Sequence, residues 1–266
     1  MITSTANPQI KNLAALIKKA KERREQQAFV VEGARLCMEA PEELLLRLYV
    51  SEGYLAKEEN RRTLSGRSYE VVSDSVFSSV ADTQTPQGIL GIVRMPTYQP
   101  ADLMRGERTQ LLILEGIQDP GNLGTMLRTG EGAGLTGVIM DRTTVDLFNP
   151  KVIRSTMGSI YRMPYLIAEN LREVLSKLKE QGICLYAAHL GGAVCYDRPD
   201  YTKPCGFLIG NEGNGLADET ADMAERVIIP MEGQVESLNA AVSAAILMYE
   251  CSRQRRIRGC EHESMV

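Results

Sequence analysis

The chain is short of the residues on which much enzyme chemistry depends. It has two histidines, His189 and His262, so His-based triads and His-rich metal sites are poorly supplied. Its six cysteines (Cys37, Cys184, Cys195, Cys205, Cys251 and Cys260) are scattered, with no CxxC pair. That argues against a zinc cluster and for reduced, mostly buried thiols. No run approaches the roughly 18 uninterrupted apolar residues of a membrane span. The amino terminus lacks a basic-then-apolar signal pattern, and a cytoplasmic location is expected. There is no GxxxxGK[ST] loop for cradling phosphates, no internal repeat and no low-complexity tract.

What is present is a core-forming composition, 44% apolar over 266 residues, with a net charge of −4. The total argues against nucleic acid, but the distribution is uneven. Residues 1–35 hold seven Lys/Arg against three Glu, a local net of +4. The pattern over residues 8–27 is helical, with Ile10, Leu13, Leu16 and Ile17 on one face and most of the cations on the other. An ordinary solvated helix has this pattern too, and so does a basic ridge that meets phosphates. On the second reading Lys11, Lys18, Arg23 and Arg35 are candidate RNA contacts, joined by Arg154 further along. Strand-like runs at 28–32, 45–50, 69–72 and 89–93, with helical stretches between, make residues 1–94 a small α/β domain. Residues 95–108, with Pro96, Pro100 and Gly106, are the expected linker.

From residue 109 the pattern becomes regular strand–helix alternation, which implies a mostly parallel sheet covered on both faces. Expected strands lie at 111–114, 137–140, 165–167, 183–187, 207–209 and 227–229. Expected helices lie at 122–130, 150–157, 170–181 and 237–256. Gly132-Ala133-Gly134-Leu135-Thr136-Gly137 matches GxGxxG, but a dinucleotide site needs strand, glycines, then helix. Here a helix precedes and a strand follows, so the glycines read as a helix stop. His189 reads as a core or turn residue.

Three stretches at the carboxyl ends of expected strands stand out, because that edge is where an open α/β sheet binds its ligand. The first is Glu115-Gly116-Ile117-Gln118-Asp119-Pro120-Gly121-Asn122, a turn opening a helix that carries Arg128. The second is Leu208-Ile209-Gly210-Asn211-Glu212-Gly213-Asn214-Gly215, where three glycines let the backbone turn and approach a ligand. The third is Ile229-Pro230-Met231 followed by Ser237-Leu238-Asn239, whose Ser and Asn are natural helix starters.

Together these residues resemble a known family. Asn122-x-Gly124-x3-Arg128, Ile209-Gly210-Asn211-Glu212-Gly213-x-Gly215-Leu216 and Ile229-Pro230-Met231-x5-Ser237-Leu238-Asn239 look like the three ordered motifs of the SpoU (TrmH-type) branch of the SPOUT RNA methyltransferases. The segment from Asn149 to Gly158 is similar to the family's intervening stretch. The likeness covers about residues 110–255. Phe29-Val30-Val31-Glu32-Gly33-x-Arg35 and Thr85-Pro86-Gln87-Gly88 look, more loosely, like the ribosomal-protein-like substrate domain fused to many members.

The resemblance implies an S-adenosylmethionine-dependent ribose 2′-O-methyltransferase at residues 109–266. It also implies a carboxyl-terminal trefoil knot, which general topology argues against. It further implies a homodimer with each active site completed at the subunit interface. By the same resemblance Leu208, Ile209, Gly210, Asn211, Gly213, Ile229, Met231 and Leu238 cradle the cofactor. Asn122, Arg128, Glu212, Ser237 and Asn239 surround the reaction centre, and no metal is implied. For Glu212, fixing a loop through backbone N–H bonds ranks equal with catalysis. Structured ribosomal RNA, most of all 23S, is the implied substrate. A transfer RNA substrate, a non-catalytic ribosome-assembly protein and a small-molecule methyltransferase are the alternatives. The last leaves the basic first helix without a purpose.

Overall fold

The computed structural model describes residues 1–263. The chain divides into two compact units, Met1–Thr97 with Asp146–Tyr161, and Tyr98–Val145 with the chain from Arg162 onward.

The first unit opens with α1 (Pro8–Lys18) and α2 (Ala20–Gln26). A single helix over 8–27 was the expectation, and the chain breaks at Lys19, which is extended at φ −123° and ψ 114°. The cause is Arg23. Its Nη1 donates to the carbonyls of Leu16 (2.7 Å) and Ile17 (3.0 Å), the groups the last turn of α1 leaves open. Its Nε and Nη2 donate to Asp146 Oδ2 at 3.0 and 2.5 Å. Arg23 is only 3% exposed. It is therefore a structural cap and not the RNA contact the charge pattern suggested, because a buried guanidinium already paired with a carboxylate is not presented to phosphate.

The unit continues through β1 (Ala28–Glu32), α3 (Ala34–Glu39), β2 (Leu45–Ser51), α4 (Glu52–Ala56), α5 (Glu58–Thr63), β3 (Glu70–Val72), α6 (Asp74–Val80) and β4 (Ile89–Arg94). The sheet order is β1-β4-β2-β3. β1 and β2 pair with β4 antiparallel, and β2 pairs with β3 in parallel. Ile10, Leu13 and Leu16 of α1 pack with Val30, Leu90 and Phe77 in its core. This is the apolar face that the helical spacing gave.

The second unit begins with two short 3-10 turns and then β5 (Gln110–Leu114), α7 (Pro120–Ala133) and β6 (Gly137–Asp141). α7 stops at Gly134, in the left-handed region at φ 83°, and β6 follows. The GxGxxG stretch is thus a helix stop, as read. Gly137 is obligatory for another reason: a Cβ there would stand 2.4 Å from Leu103. The chain then contributes α8 (Pro150–Thr156) to the first unit. There Phe148 meets Phe29 with ring centroids 4.7 Å apart, and Tyr161 Oη donates to Leu36 O at 2.8 Å.

The second unit resumes with β7 (Tyr165–Ala168), α9 (Leu171–Glu180), β8 (Cys184–Ala188), β9 (Val194–Cys195), β10 (Cys205–Ile209), α10 (Asp218–Ala221), β11 (Glu225–Ile228) and α11 (Ala240–Glu263). Its seven strands take the order β7-β6-β5-β10-β8-β11-β9, and every pairing is parallel. All carboxyl ends therefore open on one edge. β5 and β10 are buried at all five positions, which is why they read as unbroken apolar runs. α11 lies along α7 and crosses the unit from that edge to the opposite one. Its Arg255 donates to the carbonyls of Arg108 (2.8 Å), Thr109 (3.0 Å), Lys203 (2.9 Å) and Tyr201 (3.0 Å), the residues leading into β5 and β10. Cys37, Cys205 and Cys251 are buried and Cys184 and Cys195 half-buried, all as free thiols. The side chain of Cys260 lies outside the described residues. No described helix is long and apolar enough to cross a membrane.

Arg23→Met keeps the stem and removes the charge, leaving Asp146 and two helix-end carbonyls without their partner. Loss of one member of a buried pair is strongly destabilising, and the expected cost in a denaturant titration is about 3 kcal/mol. A loss below about 0.5 kcal/mol, typical of surface sites, would contradict this role.

Candidate active site

Three loops meet at the carboxyl edge of the seven-stranded sheet, and one chain of side-chain hydrogen bonds joins them. Asn239 Nδ2 donates to Asn122 Oδ1 at 2.9 Å. Asn122 Nδ2 donates to Glu212 Oε1 at 2.9 Å. Glu212 also accepts from the backbone N–H of Gln118 and of Asp119, both at 3.0 Å. One residue from each expected motif is thereby fixed relative to the others.

Each member stands where local structure puts it. Asp119 caps α7 by accepting from Asn122 N at 2.9 Å, so Asn122 lies in the first turn. Asn239 caps α11, its Oδ1 accepting from Ala241 N (2.9 Å) and Val242 N (3.3 Å). The last helix therefore starts at Ala240 and not at Ser237, since Asn239 and not Ser237 supplies the cap. Ser237 is exposed and makes no side-chain hydrogen bond among the described residues. Arg128 sits six residues after Asn122 on α7, about 9 Å along the axis. It is exposed, and no described residue pairs with its guanidinium.

The cofactor candidates divide by burial. Leu208 and Ile209 bury their side chains in β10, so only their backbone faces the edge. Gly210 is needed by its own loop, because a Cβ there would stand 2.1 Å from the carbonyl carbon of Gly215. Asn211 Nδ2 donates to Gly116 O (2.8 Å), and its Oδ1 accepts from Gly213 N (2.9 Å) and Asn214 N (3.0 Å). It shapes the loop rather than presenting a free amide. Gly215 alone of the three loop glycines has positive φ, 71°. Ile229, Met231 and Leu238 are half-buried and Gly213 is exposed.

Two carboxylates missed as site residues hold the same edge. Glu115 accepts from Ala217 N (2.9 Å) and from Thr220 Oγ1 (2.6 Å), tying the end of β5 to the far side of the 210–217 loop. Asp141 accepts from Gly116 N and Thr144 N, each at 3.0 Å, and from Thr144 Oγ1 at 2.7 Å. A carboxylate just past a buried strand was the available signal. The loop after β8 was missed too. β8 lies between β10 and β11, so residues 189–192 open between the two candidate cofactor loops. His189 forms a turn there, its Nδ1 accepting from Gly191 N at 3.0 Å.

Of the remaining RNA candidates, Lys11 and Lys18 are exposed with no described ion pair. Arg35 pairs with Glu39 at 2.8 Å and Arg154 with Asp82 at 2.5 Å. The charge of each is already countered.

Burial pushes the Glu212 carboxyl up, but hydrogen bonds from Asn122, Gln118 and Asp119 outweigh it and hold the pKa below the ordinary carboxylate value. A lowered native pKa gives stabilisation that is complete above the unfolded value, about 4.3 for Glu. It is lost as pH falls through the native value. Melting curves of the wild type and Glu212→Gln from pH 7 to pH 3 are expected to converge at the acid end. A constant gap between them would contradict the charged clamp.

Comparison with known proteins divides the chain into two successive matches. The sequence model of the SpoU rRNA Methylase family matches residues 109–249, and that of the MRM3-like substrate binding domain matches residues 7–91. A Bacillus subtilis protein described as 23S rRNA (guanosine(2553)-2′-O)-methyltransferase RlmP is 34% identical over 252 residues, 93% of this chain and 97% of its own length. The AdoMet-bound rRNA methyltransferase of Sinorhizobium meliloti superposes with TM-score 0.80 at 32% identity, covering 95% of this chain and 97% of that one. The SpoU methyltransferase AviRb of Streptomyces viridochromogenes, in complex with AdoMet, superposes with TM-score 0.85 at 25% identity, covering 94% and 98%. This chain belongs to the SpoU rRNA methylase family.

Proposed function

We propose that the protein is an S-adenosylmethionine-dependent methyltransferase acting on a ribose 2′-oxygen of 23S ribosomal RNA in the cytoplasm. The observation that carries this reading is the end-to-end likeness to a 23S rRNA 2′-O-methyltransferase, over 93% of this chain, with the Asn239–Asn122–Glu212 chain of hydrogen bonds in place. The domain matched by the MRM3-like substrate binding model, with Lys11 and Lys18 exposed, is assigned to RNA recognition.

The residues at the carboxyl edge fit the cofactor. Ile229, Met231 and Leu238 offer half-buried apolar faces of the kind that take an adenine ring. Gly215 and Gly233 leave open space where a side chain would stand, so backbone groups can approach a ligand closely. S-adenosylmethionine supplies an electrophilic methyl group on a sulfonium. The chain's own part is to hold the ribose in line and to ease loss of the hydroxyl proton, largely a matter of positioning. Arg128 cannot act as a base, because guanidinium stays protonated. Its free guanidinium is assigned to the phosphate beside the target ribose, where it favours the developing alkoxide. Ser237 is assigned to ribose orientation. Glu212 is assigned to holding loops, since both its oxygens take N–H donors.

The protein is also assigned as a homodimer. Val242 and Tyr249, 47% and 46% exposed, lie seven residues apart on one face of α11. A second copy is the natural cover for that stripe, and V242E/Y249E is expected to sediment as a monomer; a persisting dimer would refute the assignment. The trefoil knot of the family is carried over likewise. The return of β10 to the centre of the sheet between β5 and β8 supports it.

Mass-spectrometric mapping of 2′-O-methylated nucleotides, with and without the gene, tests the reaction. Loss of one methylated ribose in 23S rRNA is expected, and an unchanged map counts against it. Complementation separates the roles of Arg128. Arg128→Ala should cut kcat at least about a hundredfold, the scale of losing one oriented charge donor. Arg128→Lys should keep part of the activity, and a lysine variant as inactive as the alanine one would exclude the phosphate grip.

A further inference from the structure

At the edge of the sheet opposite the candidate active site, the second unit carries a basic surface that the proposed chemistry does not use. Three separate segments build it. Arg108 precedes β5, Lys203 precedes β10, and Arg253, Arg256 and Arg258 come from the end of α11. Arg255 proves their proximity, because its guanidinium donates to the carbonyls of both Arg108 and Lys203. A groove of about 520 Å³ lies among Asp200, Thr202, Lys203, Arg253, Gln254 and Arg258.

The cations divide by role. Arg255 has its donors committed to backbone carbonyls and holds the helix end in place. Lys203 and Arg258 are exposed with no described ion pair, whereas Arg253 is held by Glu250 through two hydrogen bonds of 2.7 Å and Arg256 follows Tyr249 by seven residues on the stripe assigned to a second copy. Two carboxylates lie among these cations, Asp200 in the groove and Glu250 behind it. Glu250, with 9% of its side chain exposed, accepts from Arg253 at 2.7 Å and from Gln254 at 2.9 Å. Asp200 accepts from Thr202 N (3.0 Å) and Thr202 Oγ1 (2.6 Å). Helix-dipole stabilisation accounts for cations in a last helical turn. It does not account for Arg108 and Lys203, which converge on the same place from other strands. In a chain of net charge −4, a positive surface gathered from three segments matches a polyanion.

We propose that this surface, through Lys203 and Arg258 with Arg108 at its rim, docks the phosphate backbone of the RNA substrate at a point remote from the methylated ribose. The proposal rests on the reading that the substrate is RNA. Along α11 the distance from the Asn239 cap to Arg256 is about 25 Å at 1.5 Å per residue. A single flipped nucleotide cannot reach both places. The RNA must extend across the unit as a helix or a folded junction, and the surface contributes to capture rather than to chemistry.

The test uses the full chain, 23S ribosomal RNA transcribed in vitro, and the triple variant R108E/K203E/R258E, with Arg253 and Arg255 untouched. Cofactor titration reports whether the variant is folded. The slope of log affinity against log salt should become shallower by about 2 to 3, for three phosphate contacts at about 0.7 to 0.9 each. KM for the RNA should rise about tenfold or more, with kcat unchanged. The charge-keeping variant R108K/R258K should retain wild-type affinity, which separates charge from local packing. An unchanged salt slope and KM in the folded triple variant would overturn the proposal, as would equal loss in the lysine variant. The salt slope is read from binding without turnover, so it stands or falls separately from the methyl-transfer reaction that KM requires.

Discussion

The site depends on one short chain of hydrogen bonds, Asn239 to Asn122 to Glu212, with Glu212 anchored on two backbone N–H groups. Three loops that are distant in sequence need a common reference before any ribose can be placed. A parallel sheet puts the loops at one edge but does not set their mutual geometry. Two helix starts and a carboxylate do that. Asp119 caps α7 and Asn239 caps α11, so both asparagines stand on rigid elements. Glu212, in a glycine-containing loop, is the member that must be held, and its lowered pKa reflects how completely it is satisfied. Glu115 and Asp141 extend the same device to the loop's far side and to the end of β6.

With the frame held this way, the groups left for chemistry are few. Arg128 and Ser237 are exposed and unengaged among the described residues. The asparagines and Glu212 are engaged with one another. Methyl transfer to a weak nucleophile is promoted by orientation and charge placement. The structure divides those tasks between loops that hold and side chains that remain available.

Much of this was legible in the sequence, and the reasons are specific. β5 and β10 are buried on both faces, so their runs of Leu, Ile and Phe are uninterrupted. α7 announces its start with Asp119-Pro120 and its end with Gly134. The motifs lie just past strand ends, which placed them at one edge without knowledge of the strand order. What was not legible depends on partners far along the chain. The break at Lys19 follows from Arg23 turning back onto α1 and pairing with Asp146, 123 residues away. The same pairing hid Arg23 among apparent surface cations. β9 is two residues long, too short for any periodicity. The start of α11 was set by which of two capping residues faced Asn122, a tertiary contact that neither residue's propensity encodes.

The most direct test of this account is a double-mutant cycle between Asn122 and Asn239, read as the single-turnover rate of methyl transfer to 23S ribosomal RNA. If the two amides act as one strut between α7 and α11, the variant N122A/N239A should be little worse than either single variant. The coupling energy should be about 1 kcal/mol or more, as for residues in one hydrogen-bond network. Losses that simply add would mean that the asparagines act independently, and would remove the hydrogen-bonded chain as the element that organises the site.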